Sequence, residues 1–156
     1  MIRVALGSDH AAWVTKEQLK TFLETQGYVV LDEGTHSADS VDYPDIAQRV
    51  CSRYRRREAD FGILLCGTGI GMSITANKIP SIRAALCLFP EMAELARRHN
   101  DANVLVLGGR LMGPTLIQWT VQRFLETQFE AGRHQTRVDK ITNIEQKAEF
   151  ERESRI

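Results

Sequence analysis

A chain of 156 residues, 43% apolar and 26% charged, is long enough for one domain with a full core and has the make-up of a soluble globular protein. Twenty basic and twenty acidic side chains cancel, which argues against a general nucleic-acid binder, and no apolar run approaches the roughly 20 residues of a membrane span. Three cysteines (Cys51, Cys66, Cys87) stand at no metal-ligand spacing and fit free thiols in a reducing compartment; a first strand beginning at Ile2 leaves no room for a secretion signal, so the expected location is the cytoplasm.

Residues 2–7 read as a strand. Residues 11–26 carry Trp13, Val14, Leu19, Phe22 and Leu23 as a helical stripe, with Gly27 as a natural stop. Residues 28–31 form a second strand. A helix starts at Tyr43-Pro44, where Pro44 suits the first helical position and Ile46, Ala47, Val50 and Cys51 share a face. Residues 61–65 are a third, apolar strand, followed by Cys66, a glycine-rich turn and a helix over 73–78. Residues 82–87 are the fourth strand, a helix opened by Pro90 covers 91–98, and residues 103–107 are the fifth strand. Gly113-Pro114 then starts a long helix with Leu116, Ile117, Val121, Phe124 and Leu125 on its apolar face.

Five alternations of short apolar strands with helices predict an α/β fold: a five-stranded parallel sheet in a Rossmann-like three-layer α/β/α sandwich. After Gln128 the pattern changes. Residues 130–138 are polar and basic, and residues 139–152 read as an extra C-terminal helix whose apolar surface is limited to Val138, Ile141, Ile144 and Phe150. Residues 1–156 are thus one domain, with 130–156 expected to form an arm and helix that pack on a partner subunit.

In a parallel sheet the loops at the carboxyl ends of the strands meet at one rim, where ligands bind. Strand one delivers Gly7-Ser8-Asp9-His10, strand two leads to Asp42-Tyr43, strand three delivers Cys66, and strand five delivers Gly108-Gly109-Arg110. The same region is expected to receive His99-Asn100, from the end of the helix before strand five. Acid, base, thiol and guanidinium gathered together make an active site. Each has a plainer account alone: Asp9 as a helix cap, Cys66 as an inert buried thiol, His99 as a cation at a helix end, Tyr43 as core, Arg133 and Arg137 as solvated charges. Cys51 and Cys87 read as structural. The coincidence at one rim carries the argument.

Gly67-x-Gly69-x-Gly71 is not the dinucleotide fingerprint, which needs its third glycine one place later, and it lacks the Lys-Ser/Thr of an NTPase phosphate loop. Glycines after a strand and before a helix instead let backbone N–H groups approach an oxyanion or a thiolate.

Gly7-Ser8-Asp9-His10, Asp42-Tyr43-Pro44, Cys66-Gly67-Thr68-Gly69-Ile70-Gly71, Ala76-Asn77-Lys78, Arg83-Ala84, the run from Arg98 to Asn103, and Gly132-Arg133-His134-Gln135-x-Arg137 together resemble the type B ribose-5-phosphate isomerase family, which also holds allose-6-phosphate and galactose-6-phosphate isomerases. The resemblance runs collinearly from residue 2 to about residue 147. It implies an aldose–ketose isomerase that works through a cis-enediolate without metal or organic cofactor. It makes Cys66 the base between C1 and C2, since Ser73, Ile74 and Thr75 offer no glutamate for that role. His99 assists ring opening with Asp9 nearby, and Thr68 with the amides of Gly67, Gly69 and Gly71 forms the anion hole. Asn100 and Tyr43 join the sugar-binding set. His10, Arg110, Arg133 and Arg137 form the phosphate clamp, the last two supplied by the partner of a homodimer, with a tetramer as a further possible assembly. No nucleic acid or membrane partner is implied. The alternatives are an isomerase of another sugar phosphate with six or four carbons, a thiol hydrolase built on Cys66 and His99, and a non-catalytic sugar-phosphate sensor.

Overall fold

The computed structural model describes residues 1–154. Its strands are β1 (Arg3–Ser8), β2 (Val29–Asp32), β3 (Phe61–Cys66), β4 (Ala84–Leu86) and β5 (Val104–Gly108). Its helices are α1 (Trp13–Thr25, preceded by a 3-10 turn, His10–Ala12), α2 (Tyr43–Arg55), α3 (Ile70–Ala76), α4 (Pro90–Asn100), α5 (Pro114–Glu126) and α6 (Arg133–Glu153). The five strands pair in parallel in the order β2-β1-β3-β5-β4. The expected parallel α/β sandwich with an added C-terminal helix is the fold observed.

Successive strand residues point to opposite faces, so both faces of the inner strands must be apolar. On one face Val4, Leu6, Ile63, Leu65, Leu105 and Leu107 pack with Leu19, Leu23, Ala93, Ile117, Val121 and Phe124 from α1, α4 and α5. On the other, Ala5, Leu64, Cys66, Val104 and Val106 pack with Ile46, Val50, Met72 and Ala76 from α2 and α3. Cys66 therefore points to the α2–α3 side. The chain leaves β1 toward β2 by a helix on one face and reaches β3 by a helix on the other. The order reverses between β1 and β3, and the loops that end these two strands flank the crevice where such sheets bind ligands.

Several boundaries differ from the sequence expectation. α3 begins at Ile70, three residues early, because Gly69 at φ +81° turns the chain straight into the helix. β4 is only Ala84–Leu86, an edge strand whose first residue is held by Asn77: the Ala84 N–H donates to Asn77 Oδ1 and Asn77 Nδ2 donates to the Ala84 carbonyl, both at 2.9 Å. α6 begins at Arg133 instead of residue 139, directly after Ala131 and Gly132, both at positive φ. Its anchors are His134 and Val138, one turn apart and both buried. Residues 155–156 of the expected C-terminal arm lie outside the described residues.

A buried ion cluster fixes the rim beside β1. Lys16 is fully buried, and its ammonium reaches Asp32 at 2.7 Å and Glu17 at 2.6 Å. Asp32 also accepts from the Gly34 N–H at 3.0 Å. The Ser8 N–H donates to the Gly34 carbonyl and the Thr35 N–H to the Ser8 carbonyl, both at 2.7 Å. The loop after β2 is thereby tied to the loop that presents Asp9 and His10.

Candidate active site

The rim is built by backbone hydrogen bonds between strand ends. The Asp9 N–H donates to the Leu65 carbonyl at 3.2 Å, and the Gly109 N–H donates to the Cys66 carbonyl at 2.8 Å. These bonds set Asp9, Cys66 and Gly109 side by side at the ends of β1, β3 and β5. Cys66 is 5% exposed, and its sulfur accepts from the Gly69 N–H at 3.1 Å.

The glycines make this turn possible. A Cβ on Gly69 would stand 2.4 Å from Leu86 Cδ1 and 3.2 Å from the Leu107 carbonyl, so only a bare backbone fits against β5. On Gly71 it would stand 2.6 Å from Tyr43 Cζ: the phenol end of the tyrosine packs against the start of α3. Over Gly67 lies the Arg110 side chain, whose Cδ and Nη1 would be 3.3 and 3.5 Å from an added Cβ. The Arg110 N–H donates to the Gly67 carbonyl at 2.9 Å, which fixes the arginine over the loop. Thr68 Oγ1 accepts from the Ile70 N–H at 3.2 Å, leaving its hydroxyl proton free to donate.

Asp9 does cap the 3-10 turn, its Oδ1 accepting from the Ala11 N–H at 3.0 Å. The cap accounts for one carboxylate oxygen. His10 Nδ1 accepts from the Val41 N–H at 3.2 Å, so a neutral ring carries its proton on Nε2 as a donor to an anion. Cys51 and Cys87 are no rivals to Cys66. Burial pushes both thiols up to about 12, beyond use as bases at neutral pH.

His99 and Asn100 are not at this rim. A helix between parallel strands runs antiparallel to them, so its last residues reach the amino end of the next strand. α4 ends at Asn100 and β5 starts at Val104, whereas Cys66 pairs with Gly108 at the far end of β5. Four strand residues at about 3.3 Å each put about 13 Å of sheet between the two ends. The Asn100 carbonyl accepts from Arg83 Nε at 3.1 Å, just before β4 begins. Within one chain the expected single cluster is two clusters.

The second cluster gathers around His99. Its ring stacks on His134 with centroids 4.2 Å apart and planes 10° apart. Glu130 sits beside both rings, its Oε2 3.9 Å from His99 Nε2 and 3.6 Å from His134 Nε2. Arg98 holds the other oxygen, Nε to Oε1 at 2.5 Å, and keeps the Glu130 carboxyl below the usual carboxylate range. Burial, reinforced by the His99 ring and Arg133, pushes the His134 imidazole below its ordinary value against the pull of Glu130. Arg133 and Arg137 extend from the exposed first turns of the same helix. Among the described residues, no carboxylate pairs with Arg110, Arg133 or Arg137, unlike Arg97 and Arg98. The sequence reading missed Glu130 and His134 as members of this cluster. Their four-residue spacing was the available signal.

A doubly wound parallel sheet with a thiol, a glycine turn and an unpaired guanidinium group at its switch point belongs among the α/β proteins that bind small anionic ligands. The family model described as Ribose/Galactose Isomerase matches residues 4–141. The ribose-5-phosphate isomerase B of Escherichia coli K12 is 45% identical over 147 residues, 94% of this chain and 99% of that one. The crystal structure of a ribose 5-phosphate isomerase from Thermotoga maritima is 56% identical, with a TM-score of 0.90 over 91% of this chain and 98% of that one. The ribose-5-phosphate isomerase B of Clostridium thermocellum is 47% identical, with a TM-score of 0.93 over 94% and 99%. The chain belongs to the Ribose/Galactose Isomerase family.

Proposed function

We propose that this protein interconverts ribose 5-phosphate and ribulose 5-phosphate through a cis-enediolate, with Cys66 as the base. The observation that carries the reading is the Cys66 sulfur facing the Gly69 amide at the switch point, with Arg110 lying across the same loop. Starting from the aldose, thiolate sulfur takes the proton from C2 and the carbonyl electrons move onto O1. The protonated sulfur then returns a proton to C1 while the O2 hydroxyl proton passes to O1, which leaves a C2 carbonyl and a C1 hydroxyl and regenerates the thiolate. Thr68 and the amides of Gly67, Gly69 and Gly71 meet the oxygen on which negative charge accumulates. Donors placed where charge develops commonly account for about 100-fold or more in rate each. His10 and the arginines grip the phosphate at the far end, and that grip positions the reacting carbons.

The site is completed by a second copy. One chain carries Cys66, Asp9, His10, Tyr43, Thr68 and Arg110 at the carboxyl rim, and His99, Asn100, Arg133 and Arg137 at the amino rim. A two-fold axis that brings the first set of one protomer onto the second set of its partner builds two whole sites at once. Exposed Ile141, Ile144 and Phe150 on α6 support the C-terminal arm as part of that contact. In this reading ring opening falls to the partner's imidazole at position 99, with Asp9 on the near side. A thiol hydrolase finds less support, because the family model and the relatives that match almost the whole chain are sugar-phosphate isomerases. Three free, buried cysteines fit a reducing cytoplasm, and no described helix is long and apolar enough to cross a membrane.

Proton NMR of ribose 5-phosphate in deuterated buffer tests the reaction. The expected result is ribulose 5-phosphate with solvent deuterium at the transferred position. An unchanged sugar with no exchange at C2 overturns the reading. A preference of more than about tenfold in kcat/KM for allose 6-phosphate, galactose 6-phosphate or a four-carbon sugar phosphate replaces the substrate and leaves the chemistry.

A further inference from the structure

We propose that Glu130 and His134 are positioning residues for His99, and that the two together serve the ring-opening step alone. The inference deepens the isomerase reading and rests on the ring-opening role of His99 proposed above.

Ribose 5-phosphate in its furanose form is closed through O4 and has no carbonyl at C1. Opening breaks the C1–O4 bond. That electron pair goes to O4, which takes a proton, while the O1 hydroxyl gives one up and its electrons form the C1 carbonyl. One proton moves from O1 to O4, with no net gain or loss. An imidazole that carries it is briefly a cation and must face the sugar in one orientation.

His99 is fixed for that task from two sides. The His134 ring stacks on it, centroids 4.2 Å apart and planes 10° apart. His134 is buried in the first turn of α6, so the surface under His99 is a packed one. The His99 side chain itself stays 35% exposed and open to a ligand. Glu130 Oε2 stands 3.9 Å from His99 Nε2, too far for a hydrogen bond but within reach of an ion pair. The carboxylate therefore acts on His99 most strongly while the ring holds the proton of the sugar, which is where a fixed charge helps the reaction.

Glu130 is held in turn. Its N–H donates to the Arg98 carbonyl at 3.1 Å, and its Oε1 accepts from Arg98 Nε. The His134 N–H donates to the Ala131 carbonyl at 3.0 Å and closes the turn between the glutamate and α6. The anchor of this bracket is the residue beside His99 in the chain. His134 does not compete for the proton: burial, reinforced by the His99 ring and Arg133, pushes its imidazole below the ordinary value, and Glu130 offsets that only in part. A base oriented by a third group and backed by a carboxylate is the division of labour seen in nucleophilic triads.

Two sugars separate the steps. Ribulose 5-phosphate has its C5 oxygen esterified, so its C2 ketone cannot close a furanose and the molecule is open-chain. Exchange of its C1 proton with solvent deuterium uses Cys66 and needs no ring opening. Proton NMR on the full-length protein measures this exchange beside the conversion of ribose 5-phosphate. In Glu130→Gln and His134→Asn, conversion is expected to fall at least about tenfold while exchange stays within about threefold of wild type. His99→Asn is expected to show the same split, and larger. His134→Phe keeps a flat ring in the pocket, guards against a folding defect, and is expected to regain most of the conversion. Equal loss of both rates in Glu130→Gln and His134→Phe marks a structural role only and overturns the inference, as does wild-type conversion in Glu130→Gln and His134→Asn. A split in His99→Asn alone overturns the inference and leaves the role of His99 standing. Equal loss of both rates in His99→Asn overturns that role and the inference with it, and leaves Cys66 as the base.

Discussion

The Gly69 N–H points at the Cys66 sulfur from 3.1 Å, across a turn that only glycine can make. The donor comes from the backbone and cannot be removed by changing a side chain. The sulfur itself can. Cys66→Ala is expected to lower kcat by about 100- to 10,000-fold, the usual weight of a proton-transfer group, while leaving inorganic phosphate binding near wild type. Steady-state isomerisation and calorimetric phosphate titration check both halves. Near-wild-type turnover in Cys66→Ala contradicts the assignment.

The proposed two-chain site predicts complementation between two dead enzymes. Cys66→Ala and His99→Asn damage opposite rims of the same chain. When the two are co-expressed and mix at random, half the dimers are mixed and each holds one intact site, so about a quarter of wild-type activity returns. No return of activity means that each chain builds its site alone. Arg137→Ala in the same assay is expected mainly to raise KM, because the phosphate is held alike in substrate and transition state.

Thiol labelling separates the cysteines. Burial holds Cys51 and Cys87 protonated, with values near about 12, and each is sealed in the core. In the folded enzyme at mildly alkaline pH, a thiol reagent is expected to modify Cys66 and spare the other two, and ribose 5-phosphate is expected to slow the reaction. In denaturant all three react. Fast labelling of Cys51 or Cys87 in the native state would count against the core as described.

Asp32 sets an acid limit on stability. Burial alone raises its carboxyl, but hydrogen bonds from Lys16, the Gly34 amide and Lys20 outweigh that and hold it below the ordinary carboxylate value. A carboxylate depressed on folding contributes stability at every pH above its unfolded value of about 3.9, and the contribution disappears as pH falls through the folded value. Asp32→Asn is expected to flatten the loss of stability below about pH 4. At neutral pH it is expected to cost about 3 kcal/mol, since Lys16 keeps only Glu17 as a partner in the core. Urea denaturation at several pH values measures both.

Gly71→Ala tests the seat of Tyr43. The new methyl group claims the space of the tyrosine ring, so the ring must leave the start of α3. The expected result is a several-fold rise in KM with little change in melting temperature. Gly69→Ala is different: positive φ and the 2.4 Å approach to Leu86 make it a stability lesion of about 1–3 kcal/mol. Thermal unfolding of the pair distinguishes them.

The layered sheet was legible in the sequence because each buried strand is a short apolar run and each helix shows its stripe. Pro44, Pro90 and Pro114 also mark helix starts in plain sight. α6 was read six residues late because its anchoring residue, His134, counts as polar in any hydrophobic pattern. The rim residues Asp9, Cys66 and Arg110 were legible as strand-end chemistry, and the structure sets them on neighbouring strand ends and loops. His99 and Asn100 were misplaced for a geometric reason. Motif order along the chain does not say which end of a returning helix faces the ligand, and α4 runs against the sheet.

The separation of Cys66 from His99 along the height of β5 has a consequence for how this molecule behaves when diluted. In the two-chain site proposed above, a protomer set apart from its mate would keep a fold, a thiol and a phosphate hook, yet own no complete catalyst. Turnover per chain is then expected to fall as the solution thins, and a bound sugar phosphate, gripped from both sides, would act as the clasp that holds the pair shut.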